Sequence, residues 1–81
     1  MKKPAPEYII HATWDEVASV WVAESDDVPG LITEAKTFEA LLKKLRTLVP
    51  ELLELNGAPR RRSGKVSYRV LAERRESSQA A

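Results

Sequence analysis

Residues 25–37 read SDDVPGLITEAKT, and the reading of this stretch decides the fold. Pro29 and Gly30 suit the two central positions of a type II turn, because proline presets φ and glycine accepts a positive φ. Leu31 to Ala35, LITEA, then reads as a short strand. Thr37 is a good helix N-cap, since its hydroxyl can accept a backbone N–H of the first turn. Glu39 stands where the helix dipole favours an acid. A sheet therefore hands over to a helix within these few residues.

Upstream, Tyr8 to Trp14 (YIIHATW) is rich in β-branched and aromatic residues and reads as a strand. Ser19 to Glu24 (SVWVAE) reads as a second strand, and the short gap predicts an antiparallel hairpin. LITEA completes a three-stranded antiparallel meander. Downstream, Phe38, Leu41, Leu42, Leu45, Leu48, Val49, Leu52 and Leu53 recur at helical spacing and make one apolar face. Glu39 and Lys43 form a favourable i,i+4 pair. Pro50 interrupts the pattern without shifting its phase. The expectation is a helix kinked at Pro50, or split there with Pro50 opening the second piece. Asn56-Gly57 ends the helical region, with Gly57 fit for a left-handed C′ position. Residues 58–65, APRRRSGK, form a basic loop. Val66 to Glu73 alternates, with Val66, Tyr68, Val70 and Ala72 pointing one way, and reads as a fourth strand.

The expected fold is α+β with the order β-β-β-α-β: one domain over residues 8–73, a flexible arm at 1–7 and a polar tail at 74–81. If the third and fourth strands are parallel, the helix between them makes a right-handed crossover. One helix can cover only one face of the sheet, yet both faces carry apolar residues. Ile10, Ala12, Val20 and Val22 lie in one alternation set; Ile9, Trp21, Ala23 and Leu71 lie in others. A second face bearing Trp and Ile is expected to meet another copy or another protein.

Composition narrows the function classes. The chain has 81 residues, no Cys, one His and a net charge of +1. Disulfides and thiolate zinc sites are excluded. A domain this small gains only a few kcal/mol from its own core, so a homo-oligomer, most simply a dimer, is expected. No apolar run is long enough to cross a membrane. The start, MKKPAPEYII, lacks the apolar region of a signal peptide, so a cytoplasmic location is expected. Charge is unevenly spread. From Thr13 to Leu42 the acids Asp15, Glu16, Glu24, Asp26, Asp27, Glu34 and Glu39 face only Lys36. From Lys43 to Arg75 bases predominate.

No constellation supports catalysis. Asp26 and Asp27 are adjacent, so their side chains point apart, and no nucleophile–histidine pair accompanies them. Asp26, Asp27, Glu24 and Glu34 lack the glycine-punctuated spacing of a calcium loop. His11 stands alone. No catalytic residue, metal or cofactor is expected, and the chain does not read as an enzyme. The acidic segment fits recognition of a basic partner, with Asp15, Glu24, Asp26, Asp27 and Glu34 steering it and Trp21 as an aromatic anchor. Arg60, Arg61, Arg62, Lys65 and Arg69 form an alternative, phosphate-contacting set for a nucleic acid. They lack the interleaved aromatics of a single-strand platform.

Trp14-Asp15, then Val20-Trp21-Val22-Ala23-x-Ser25-Asp26-Asp27-x-Pro29-Gly30-Leu31, then Thr33-Glu34-Ala35-x-Thr37 resemble the HicB-like antitoxin family. Pro50-Glu51-Leu52-Leu53-x-Leu55-Asn56-Gly57 resembles the helix end of its small branch, long catalogued as a domain of unknown function. The likeness spans roughly residues 8–73. It implies a truncated ribonuclease-H-like fold, like a HicB N-terminal domain, without nuclease chemistry. It also implies dimers or larger assemblies and the masking of a small basic, mRNA-cleaving toxin of the HicA type. Many such antitoxins carry a C-terminal DNA-binding domain. Only eight residues follow Glu73 here, so DNA binding is not expected.

Overall fold

The computed structural model describes residues 7–58 and 64–80. Three strands, β1 (Tyr8–Asp15), β2 (Val20–Glu24) and β3 (Ile32–Ala35), precede one helix, α1 (Phe38–Leu55), and a fourth strand, β4 (Tyr68–Glu73). The sheet order is β3-β2-β1-β4. The first three strands form the expected antiparallel meander. β4 lies beside β1 and parallel to it, so the β3–α1–β4 connection crosses two strands.

The hairpin between β1 and β2 is set by Asp15. Its Oδ1 accepts from the N–H groups of Val17 and Ala18 at 3.0 and 3.1 Å, an Asx turn. Ser19 closes the loop at φ 56°. The resulting register pairs Ala12 with Ala23 and Trp14 with Trp21. Paired residues share a face. Trp21 and Ala23 therefore join Ile10 and Ala12 beneath the helix, while Val20 and Val22 join Ile9 and Leu71 on the opposite face. The alternation sets expected from sequence were paired wrongly between strands. Alternation fixes sides within a strand; only the turn fixes the phase between two strands.

The core lies between the sheet and α1. Leu41, Leu45, Val49 and Leu53 are the buried row of the helix. They cluster with Ile10, Ala12, Ala23, Ala35, Val28 and Leu31. Three alanines on the sheet side let the helix approach closely, and leucines fill the space above them. Trp21 joins this layer edge-on to Phe38, with centroids 5.2 Å apart, and to Trp14 at 5.6 Å. Arg74 stacks over the Trp14 ring at 4.3 Å, a cation–π contact.

The helix starts as expected: Thr37 Oγ1 accepts from Ala40 N at 3.1 Å. Pro50 neither splits it nor opens a new piece, and the helix runs on to Leu55 as one element. Pro50 lies on the exposed side, where solvent can take the place of the missing donor to the Arg46 carbonyl. At the far end, Ala58 N donates to Leu53 O and Gly57 N to Glu54 O. This is a Schellman motif, with Gly57 at φ 73°. No helix is long and apolar enough to cross a membrane among the described residues.

Candidate functional site: the uncovered sheet face

The turn after β2 is built by side chains. Val28 O accepts from Leu31 N at 3.1 Å across Pro29-Gly30, and Gly30 has φ 84°, as the type II reading requires. Ahead of it the chain leaves the sheet at Glu24, which would orphan the backbone of Ile9. Ser25 Oγ donates to Ile9 O at 2.5 Å, and Asp27 Oδ2 accepts from Ile9 N at 2.7 Å. Two side chains thus replace the missing partner strand. Ser25 Oγ also accepts from the N–H groups of Asp27 and Val28. Val28 is fully buried, so the loop is pinned to the core. Asn56 Nδ2 donates to Pro29 O at 3.1 Å and to Leu52 O at 2.7 Å, tying the turn to the end of α1.

Asp26 and Asp27 therefore differ in role. Asp27 caps a strand, whereas Asp26 is an exposed carboxylate on the loop. Replacing Asp27 with alanine is expected to lower stability by about 1–2 kcal/mol, because Ile9 N–H loses a charged acceptor. Asp26→Ala is expected to change stability by less than about 0.5 kcal/mol. Urea unfolding of the two variants checks this asymmetry.

The face away from α1 gathers three residues of the predicted acidic site, Asp15, Glu24 and Glu34, and Arg69 of the alternative basic set. Across the sheet from β3 to β4, one row is Ile32, Glu24, His11 and Leu71; the next is Glu34, Val22, Thr13 and Glu73. Asp15 and Val20 extend the face at one end, Ile9 and Arg69 at the other. Asp15, Glu24, Glu34 and Glu73 oppose Arg69 as the only other formally charged residue of these rows. Ile9, Val20 and Val22 are half-buried, and Ile32 and Leu71 are 72% and 44% exposed. The surface is thus acidic with apolar residues interleaved. No element among those described lies over it.

Trp21 stands elsewhere. It packs on the helix side against Trp14 and Phe38, away from Asp15, Glu24 and Glu34. Ile9, Val20, Val22, Ile32 and Leu71 are the apolar members of the face that the predicted site omitted. Of the basic set, Arg60, Arg61 and Arg62 lie outside the described residues. Lys65 is exposed, and Arg69 pairs with Glu7 at 3.0 Å. Among the described residues, no three His, Asp or Glu side chains gather closely enough to hold a metal ion. A shallow groove of about 380 Å³ between β3 and α1 is lined by Thr33, Lys44, Thr47, Leu48 and Glu51.

Fold and face together define a small α+β module, a four-stranded mixed sheet with one side covered by α1 and the other open among the described residues. The chain belongs to the family described as a domain of unknown function, DUF1902, whose model matches residues 7–80. It is similar to a hypothetical protein from the extremely thermophilic bacterium Thermus thermophilus, known from a crystal structure. The two are 45% identical, with a TM-score of 0.69, over 93% of this chain and 100% of that one. No curated protein matches the chain.

Proposed function

We propose that this chain is a non-enzymatic binding protein of HicB-like antitoxin type, acting in the cytoplasm and masking a small basic, RNA-cleaving toxin. One observation carries the reading: Asp15, Glu24 and Glu34 share the uncovered sheet face with Glu73 and with exposed apolar residues. Carboxylates of one sign steer a cationic partner and hold its register. Apolar side chains between them supply area to bury, which a purely polar surface lacks. The resemblance of residues 8–73 to HicB-like antitoxins supports the same reading.

The test is capture with tagged chain from the native host at low salt, followed by an RNA-cleavage assay of the captured protein. A small basic nuclease, silenced by adding the chain back at fixed stoichiometry, supports the proposal. Capture of no such nuclease overturns it. With the partner in hand, Glu24→Gln with Glu34→Gln is expected to slow association about tenfold at low salt and to flatten its salt dependence. An on-rate indifferent to both changes would remove the steering role of this face.

A further inference from the structure

The two edges of the sheet are not alike. β3 ends it on one side and β4 on the other. In a strand, the N–H and C=O of one residue point to the same side. Ala35 and Thr33 pair inward toward β2, so Ile32 and Glu34 turn their backbone groups outward. Lys44 Nζ already donates to Glu34 O at 2.6 Å. β3 is short, and a lysine occupies its rim, as is usual for a protected edge.

β4 has no such guard among the described residues. Tyr8 N donates to Ser67 O, so Ser67, Arg69, Leu71 and Glu73 turn their backbone groups toward β1. Tyr68, Val70 and Ala72 turn theirs outward. Among the described residues β1 is the only strand beside β4, and the other side of β4 is open. A six-residue open edge of this kind is a template for strand pairing.

We infer that β4 pairs antiparallel with β4 of a second copy about a two-fold axis at Leu71, joining the two sheets into one. Charge selects this register. Only pairings that set the outward residues Tyr68, Val70 and Ala72 opposite one another can form the ladder. Centred on Leu71, Val70 bonds to Ala72 of the second copy and Ala72 to its Val70, giving about four backbone hydrogen bonds. Arg69 then stands beside Glu73 of the second copy, and Glu73 beside its Arg69, both on the uncovered face. Leu71 meets its own counterpart between these two charge pairs, and its 44% exposure is covered. These side chains occupy non-hydrogen-bonded positions, where side chains approach most closely. Centring on Val70 would instead set Arg69 beside Leu71 and Glu73 beside Ser67. Centring on Ala72 would set Arg69 beside Arg75 and Glu73 beside Leu71. Neither alternative pairs opposite charges, and centring on Arg69 would set that arginine beside its own counterpart. Arg69 also holds Glu7 at 3.0 Å, and a guanidinium has enough N–H groups to serve both carboxylates.

The test is a charge swap in the full chain, read by sedimentation equilibrium with circular dichroism as a check on folding. The parent chain is expected to dimerise. Arg69→Glu sets four acids around the axis and Glu73→Arg sets four bases, so each alone is expected to raise the dimer dissociation constant at least tenfold. Mixing the two singly changed chains restores both opposite-charge pairs, and the mixture is expected to form a heterodimer about as tight as the parent. Ala72→Pro removes an outward N–H and no bond within the sheet, and is expected to leave a folded monomer. A parent chain that stays monomeric at hundreds of micromolar overturns the inference. So does a dimer untouched by the single swaps, or a mixture that fails to pair. These outcomes are independent of whether a toxin is captured.

Discussion

Replacing Pro50 with alanine is expected to raise the melting temperature by roughly 10 °C. Pro50 stands inside an 18-residue helix, well away from its first turn. There it withholds the N–H that the Arg46 carbonyl would accept, and its ring crowds that carbonyl. In a helix interior proline is about 3 kcal/mol less favourable than alanine. Alanine also frees the unfolded chain, which returns about 0.4–1 kcal/mol of that difference. Pro50 is exposed, so no core contact is lost on truncation. The net gain is about 2 kcal/mol, and in a domain of this size each kcal/mol moves the melting temperature by about 4–8 °C. Calorimetry of the two chains checks it. A variant that melts lower than the parent would mean that proline at this position is needed to seat Leu52 beside the turn at Gly30.

Pro50 also shows where local rules lose to tertiary ones. Residue by residue, a proline thirteen positions into a helix reads as a kink or a break. The helix continues because Leu41, Leu45, Val49 and Leu53 all reach the same core, and burial of Val49 and Leu53 outweighs one missing bond. The element order and the Pro29-Gly30 turn were legible because each has a local cause: alternation, helical spacing and a residue of positive φ. The Thr37 cap was legible for the same kind of reason. The phase of β2 against β1 was not, since it depends on how Asp15 and Ser19 close the short loop between them. That single unknown moved Trp21 from the expected contact surface into the layer under the helix. It also moved Val20 and Val22 outward. Asp27 is a related case. An acid beside a turn reads as surface charge, and only the end of β2 reveals that Ile9 N–H needs an acceptor there. Asp15, Glu24 and Glu34 of the acidic segment lie on one face of the sheet, whereas Asp26 and Asp27 lie on the loop after β2. The first three converge because each lies at a position of one parity in its strand, and the register aligns those parities on one face.

Leu45→Ala is expected to leave most of the chain unfolded at 25 °C. Leu45 is fully buried at the centre of the helix row. Truncating such a leucine costs about 2–5 kcal/mol, the larger values arising where the surroundings cannot close the cavity. Here they cannot. The sheet side of the core is lined by Ala12, Ala23 and Ala35, which have no side-chain length to move into the gap. A domain of this size holds only a few kcal/mol in total, so the loss is comparable to the whole. Leu55→Ala is the matched control: Leu55 is 80% exposed on the same helix, and its truncation is expected to cost less than about 0.5 kcal/mol. Combining Leu45→Ala with Pro50→Ala brings the first change back into measurable range. The two side chains lie on opposite sides of α1, one buried and one exposed, so their effects are expected to add. The double variant should then fold and unfold in urea about 2 kcal/mol above the single variant. Equal urea midpoints for the parent and Leu45→Ala would mean that the helix does not rest on this leucine. In that case the acidic face on the other side of the sheet would owe its rigidity to the strand ladder and the Ser25–Asp27 cap alone.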